Sequence, residues 1–530
     1  MKIIIISIFI LLALNVSSNS QQWQKTIGGV SYDDVTSVKQ TTDGGYIITG
    51  YTSSFGSGNS DMYIVKLDAA VNLQWTKTIG GAQQERCHSV QQTSDGGYIV
   101  TGYTSSYSTA GFDIFTVKLD ASGNILWNKV IGGILSEEGN SIQQTTDGGY
   151  IIGGVTNSFG AGNNDAYVVK LDVSGNLVWA KTIGGASSDR CVEIRQTTDG
   201  GYFFGGYTLS FGQGNSDFYA VKLDASGNLQ WSKTIGGSGN EYCNSVKQTT
   251  DGGYILSGNT TSFGAGGDVY AVKLDASGSL IWARTVGGTD GDGGYSVIQT
   301  TEGGFVILGF TISFGLGIDM YLAKLDTWGN LQWSKSIGGQ NEERGFSIIQ
   351  LNDGGYLAAG FTSSFGAGSS DIYLVRLDAN AVTCSNILTA SSQTSSGGSL
   401  GSPNTLIYAP TVNSVTVAVS TNSGGAFTTL CLVGIKPVSN EIPVSYFLNQ
   451  NYPNPFNPAS KIRYGIPLSG NAELKVFDIT GREMAVLVNE HHVPGIYEAE
   501  FDWSHYSSGV YFYTLKSGEF AETKKMILTK

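Results

Sequence analysis

The sequence predicts an all-β chain dominated by a seven-bladed β-propeller that is closed by its own N-terminal strand. Three observations carry that prediction. Tryptophan recurs at Trp23, Trp75, Trp127, Trp179, Trp231, Trp282 and Trp333, a spacing of 52 or 51 residues. An acidic residue followed by Gly-Gly recurs in step, at Asp43, Asp95, Asp147, Asp199, Asp251, Glu302 and Asp353. The array is also out of phase at its ends. A lone Trp strand precedes the first copy, and the seventh copy stops at Asp378 with no Trp strand after it. A fixed period of this size with four short strands per copy is the signature of propeller blades. The phase offset lets the orphan first strand complete the last blade, which leaves no free sheet edge.

Each period holds four strand signals. In the first copy they are Val35–Gln40, Tyr46–Thr52, Met62–Leu67 and Leu73–Ile79. β-Branched and aromatic residues fill them because these suit a pleated, packed surface. Asp, Asn and Gly fill the intervening turns, where positive φ and local side-chain hydrogen bonds are needed. Lys66 and its counterparts are expected to pair with nearby Asp. Lys25 and its counterparts, on the outermost strand, suit protection of an exposed edge.

The chain has 530 residues and a formal charge of −13, with 74 Gly. The charge is a by-product of the repeat: each template carries four acids (Asp33, Asp43, Asp61 and Asp68 in copy one) against two bases (Lys25 and Lys66). It argues against a nucleic-acid partner. Residues 1–20 read as a secretory signal peptide, with Lys2 ahead of an apolar run and a small-residue cleavage site before Gln21. That run is too short to span a bilayer comfortably, and no other stretch approaches the required length, so the mature chain is expected to lack a transmembrane span. The expected product is an exported monomer with no cofactor.

Export places five cysteines in an oxidising setting. Cys87, Cys191 and Cys243 fall 12 residues after their Trp, in a slot that elsewhere holds Val35 or Gly, and are expected as buried free thiols. Cys384 and Cys431 bracket one segment outside the array and are expected to pair.

Domain boundaries follow composition. Residues 21–378, the propeller, contain no proline, and all nine prolines fall between Pro403 and Pro494. Residues 379–442 are a Ser/Thr/Gly-rich linker with short β-like runs at Leu406–Tyr408, Ser414–Val419 and Phe427–Val433, expected as a small hairpin layer held by Cys384–Cys431. From 443 to 530 alternating runs such as Leu474/Val476 and Val510/Phe512, with regular turn signals, suit an antiparallel sandwich. The proline cluster Pro453–Pro458 should be an extended lead-in or edge.

This last region resembles a known family. Asn451-Tyr452-Pro453-Asn454-Pro455-Phe456-Asn457-Pro458, then Leu474-Lys475-Val476-Phe477-Asp478, then Gly495-Ile496-Tyr497, then Gly509-Val510-Tyr511, and finally Lys524-Lys525 are similar to the type IX secretion C-terminal sorting domain (type A). The resemblance implies an immunoglobulin-like β-sandwich recognised by the type IX secretion machinery, with Gly495, Tyr497, Gly509, Tyr511, Lys524 and Lys525 within the sorting signal. It also implies a cell-surface or released product. The repeat itself resembles secreted bacterial β-propeller repeats, which speaks to fold and not to activity.

Candidate chemistry lies at one mouth of the channel. Ten residues after every Trp stands a carboxylate: Asp33, Glu85, Glu137, Asp189, Glu241, Asp292 and Glu343. Such a ring could bind sugar hydroxyls or a cation, or each acid could cap its own loop. Sevenfold repetition favours the scaffold role, since a site needs one place. A specific site has to break the symmetry, which singles out Arg86, His88, Arg190, Tyr242, Tyr295 and Arg344 as ligand-binding candidates, with Glu193, Arg195 and Phe346 nearby. His88 is the only histidine of the array, which excludes a His-based metal site there. These readings point to a non-catalytic surface scaffold that binds a polysaccharide or a surface protein. The alternative is an extracellular polysaccharide hydrolase of endoglucanase type, using Glu193 with a ring acid.

Overall fold

The computed structural model describes residues 22–384 except 109, and residues 443–529 except 504 and 505; between 385 and 442 it describes short strands by their backbone pairing only. The side chains of 490, 491, 500 and 502 also lie outside the described residues, as do residues 1–20, expected above as a signal peptide, and the side chain of Cys431.

The described chain is all β. Six four-stranded antiparallel sheets follow one another, the first built from Asp33–Gln40, Tyr46–Thr52, Asp61–Leu67 and Leu73–Gly80. The seventh sheet takes Glu343–Gln350, Tyr356–Thr362 and Asp371–Leu377 from the end of the array and Gln22–Gly28 from its beginning. Trp23 lies opposite Arg376 and Ile27 opposite Ile372, the register in which Trp75 lies opposite Lys66 and Ile79 opposite Met62.

The recurring residues are explained by packing between neighbouring sheets. Trp75 meets Tyr98 of the next sheet edge-on, with centroids 5.9 Å apart, and the pairs Trp127–Tyr150, Trp179–Tyr202, Trp231–Tyr254, Trp282–Phe305 and Trp333–Tyr356 repeat the contact. Edge-to-face ring pairs stabilise beyond what the area they bury contributes. Sheets 7 and 1 meet by the same devices. Trp23, Val35, Tyr46, Ile372 and Leu374 share one core. The Val38 amide donates to Ser347 Oγ at 3.1 Å, as the Ile142 amide does to Ser89 Oγ at 3.3 Å.

The Lys66–Asp43 pair is present at 2.9 Å, with the ammonium buried and also donating to Leu67 O. Cys87, Cys191 and Cys243 are buried free thiols. Cys384 is disulfide-bonded.

The segment after Cys384 corrects two expectations. Its strands form no separate hairpin layer. Ile387–Thr389, Gln393–Ser395, Ser399–Gly401, Leu406–Tyr408, Asn413–Val415 and Ser420–Asn422 pair with the outermost strands of sheets 6, 5, 4, 3, 2 and 1 in turn. Ala426–Ser439 then pairs with Gln22–Gly28 of sheet 7. The Trp strands are therefore not exposed edges, and Lys25 is buried with its Nζ donating to Val71 O at 3.1 Å. One covering strand per sheet satisfies backbone groups that an edge would leave open.

Ala426–Ser439 continues into the C-terminal region, where it pairs with Gly495–Asp502, followed by Ala459–Ile466 and Phe447–Leu448. A second sheet orders Glu483–His492, Gly470–Phe477, Gly509–Ser517 and Phe520–Leu528. Ile462, Tyr464, Leu474, Val476 and Tyr513 from both sheets share a core. The proline-rich stretch leads in ahead of Ala459–Ile466 rather than lying in a central strand. Asn451 anchors it, bonded to Tyr513 Oη and Ser460 Oγ.

Candidate functional site

The seven innermost strands, Asp33–Gln40 and its equivalents, line a common cavity of about 950 Å³. Each carries a β-bulge between its third and fifth residues, for example Val35/Ser37 and Cys87/Ser89. A bulge leaves one residue out of the ladder and re-aims its side chain. The next strand accommodates the bulged backbone with glycine: a Cβ on Gly50 would lie 1.8 Å from Asp34 O. The unpaired residues are Thr36, His88, Asn140, Val192, Asn244, Tyr295 and Phe346, and all seven line the cavity.

Where the bulge residue is polar it ties one sheet to the next. Thr36 Oγ1 donates to Cys87 O at 2.8 Å, Asn140 Nδ2 to Cys191 O at 2.9 Å and Asn244 Nδ2 to Gly294 O at 2.8 Å. His88 Nδ1 lies 3.1 Å from Gly139 O in the same role. Burial, opposed in part by the Glu138 charge and the Gly139 carbonyl, holds its imidazole below the ordinary range. Tyr295 and Phe346 cannot make that link and instead pack on each other, centroids 5.0 Å apart.

The seven repeat carboxylates do not form a solvent-facing ring; this corrects their assignment to a ligand surface. All are buried, and each accepts hydrogen bonds from the loops of its own sheet, although among the described residues Asp189 Oδ1 and Asp292 Oδ1 have no partner. Glu85 accepts from the Gly81 amide at 2.6 Å, Thr104 Oγ1 at 2.6 Å and the Ser106 amide at 3.0 Å. Glu137, Glu241 and Glu343 repeat that set. Asp33, Asp189 and Asp292 accept from the Gly29, Gly185 and Gly288 amides and from Ser54, Ser210 and Ser313 hydroxyls. A carboxylate reaches these donors because the loop folds back over its own strand start.

The symmetry-breaking candidates do come together. Arg86, His88, Arg190, Tyr242 and Tyr295 line the cavity, and Arg344 backs it, donating from Nη1 to Tyr295 Oη at 3.2 Å. Arg86 stacks 4.1 Å over Tyr51, whose hydroxyl donates to Asp34. Arg190 pairs with Glu138 at 3.3 Å, and Tyr242 packs edge-on against Tyr207.

Deeper along the same strands lies a cluster that the motif reading only half found. Glu193 occupies the position held by serine in the other six sheets. It does the serine's work with Oε2, accepting from the Val246 amide at 2.7 Å and Ser245 Oγ at 2.8 Å. Its Oε1 faces Lys247 Nζ at 2.6 Å and Arg195. Burial alone would raise this carboxyl, but Lys247 and Arg195 hold it well below the usual range. Lys39 reaches the cluster from sheet 1; burial, with Arg195 and Lys247, pulls its ammonium down to about 7. Lys39 and Lys247 were missed because single lysines on strands look like ordinary surface residues. Alignment of the copies shows the signal, since the same position holds Gln91, Gln143, Ile298 and Ile349 elsewhere.

In the C-terminal region the two Gly-x-Tyr motifs are alike. Tyr497 Oη donates to Val493 O at 2.6 Å and Tyr511 Oη to Ser507 O at 2.8 Å, each reaching back four residues from a strand that starts at Gly495 or Gly509. Lys524 pairs with Glu522 at 2.8 Å, and Lys525 is exposed. Among the described residues no helix is long and apolar enough to cross a membrane.

Residues 450–529 match the family model for the secretion system C-terminal sorting domain. That domain marks the chain for export to the cell surface or beyond, through the secretion machinery that reads it. Among solved structures the chain is similar to Sqt1 from Chaetomium thermophilum, at 13% identity and TM-score 0.40, over 64% of this chain and 83% of that one. It is similar to an endo-1,5-α-L-arabinanase from Thermotoga petrophila RKU-1, at 12% identity and TM-score 0.26, over 66% and 99%. A third is a bifunctional GH43-CE protein of Bacteroides eggerthii, at 11% identity and TM-score 0.27, over 93% and 67%. At these TM-scores the likenesses carry no argument about activity. No curated protein matches the chain in sequence.

Proposed function

We propose that the exported chain, addressed by the sorting domain at residues 450–529, is a binding scaffold whose seven sheets form a closed seven-bladed β-propeller. Its channel face takes a carbohydrate or protein ligand, and residues 443–530 form an immunoglobulin-like sandwich for the type IX machinery. One observation carries this reading. The carboxylate ten residues after each Trp is buried and hydrogen-bonded to the loop amide four residues before it, whereas the side chains that do not repeat gather on one cavity. A concave site with a few convergent polar groups among aromatic walls is where a ligand is expected.

Hydrolysis fits the same cavity less well. A glycosidase of the two-carboxylate type needs one carboxyl group protonated near neutral pH and a second free to act. Glu193 is held ionised by Lys247 and Arg195, and both its oxygens are engaged. A glycan-array screen run beside a reducing-sugar release assay tests the reading. Binding without sugar release is expected. Sugar release that vanishes in Glu193→Gln would replace the scaffold with an enzyme.

A further inference from the structure

We propose that the inner end of the channel, at Lys39, Arg195 and Lys247, is a binding site for a small oxyanion group such as a carboxylate or sulfate. This rests on the channel being the ligand face and names the chemistry it selects.

Charge is the first support. The chain carries −13, yet the cavity is lined by Lys39, Arg86, Arg190, Arg195 and Lys247 against two carboxylates, Asp34 and Glu193. Arg190 is answered by Glu138 and Arg86 lies on Tyr51. The surplus therefore sits at the Glu193 cluster, where three cations surround a single carboxylate. Excess like charge in a partly closed cavity focuses a positive potential and attracts anions.

The second support is unused donors. Lys247 Nζ and two guanidinium nitrogens of Arg195 converge on Glu193 Oε1. Among the described residues no acceptor engages Lys39 Nζ or Arg195 Nη1. A guanidinium Nη1 and an ammonium that line one cavity are charged donors of the kind an oxyanion accepts from.

The third is the departure from the repeat. At this position Gln91 Oε1 accepts from the Gln144 amide at 2.6 Å and Gln143 Oε1 from the Gln196 amide at 2.7 Å, so two copies use glutamine to tie sheet to sheet. Lysine and arginine cannot accept that bond. Five copies do without that link, two of them with isoleucine, and three put a charge on the cavity instead, which the scaffold alone does not require.

The same position in the remaining sheets holds Gln91, Gln143, Ile298 and Ile349, none of them titratable. Burial pulls both lysine ammoniums at this level down, that of Lys39 to about 7. Protonated Lys39 is the form that binds an anion, so affinity should weaken as pH rises through neutrality.

The test is calorimetric titration of the full mature chain with glucuronate, inorganic sulfate, inorganic phosphate and, as the neutral control, glucose. The variants are Lys39→Gln and Arg195→Gln, which introduce the residue found at this position in two other copies, Gln91 and Gln143, and so spare the fold. Millimolar or tighter binding of an anion, weakened about tenfold or more in Lys39→Gln and by added salt, is expected. Binding of glucuronate above sulfate and phosphate would give an acidic sugar as the source, and the reverse order a free inorganic anion. Failure of all three anions to bind, or equal binding by both variants, overturns the proposal. Neutral glycans binding while anions do not would overturn it and leave the scaffold reading intact. Anion binding with no glycan or protein ligand would support it while that reading fails.

Discussion

Each repeat carboxylate stands at the point where a loop turns into the innermost strand, and its cost and value are local. Glu85 satisfies two backbone amides and a hydroxyl that are otherwise buried without acceptors. An orphaned buried donor costs about 1–3 kcal/mol. Glu85→Ala is therefore expected to lower stability by about 3 kcal/mol or more, seen as a fall in Tm, while leaving ligand binding at the channel unchanged in the folded fraction. Asp319 presents the opposite case. Its carboxyl converges with that of Glu343 over Gly338, and burial followed by the Glu343 charge pushes it up to about 7. The folded chain then holds a proton that the unfolded chain releases near pH ~4. Stability from this site is present at low pH and falls as pH rises toward about 7. Asp319→Asn should flatten that slope and raise stability at pH ~8 by about 1 kcal/mol or more, measured by thermal melts across pH. An unchanged slope would show that Asp319 titrates normally.

Among the elements, the covering strands between 387 and 439 alter what the outer face of every sheet is. Six three-residue strands and one long one sit on seven outermost strands, so their loss would expose seven rows of unpaired backbone groups. A chain cut after residue 384 is expected to self-associate in light scattering, whereas one cut after residue 439 stays monodisperse. Equal behaviour of the two would deny the covering role. These strands were not legible beforehand. Ser399–Gly401 and Gln393–Ser395 are too short to show a period of two, and their partners lie far away in sequence. The four strands of each copy were legible, to within two residues, because Trp, the Gly-Gly turn and Tyr each mark a packing contact that recurs. Of the cavity, Arg86, His88, Arg190, Tyr242 and Tyr295 were legible as breaks in symmetry. The repeat acids misled because a regular column of charge reads the same whether it faces water or its own backbone.

At the scale of the molecule, one arrangement accounts for both ends of the array and for the placement of the cavity. The N-terminal strand leaves its own copy and pairs with the last one, the first and seventh sheets share a core, and the innermost strands line one cavity, as the proposed closed propeller requires. Gln22–Gly28 is then held on both sides, by Asp371–Leu377 and by Ala426–Ser439, and the latter strand runs on into the sorting domain. Hydrogen exchange over residues 22–28 in the intact chain tests this most directly. Amides of Gln22–Gly28 as strongly protected as those of Leu73–Gly80 are the expected result. Exchange at the rate of an unpaired terminus would contradict the proposed ring and, with it, the channel that holds the cationic cluster.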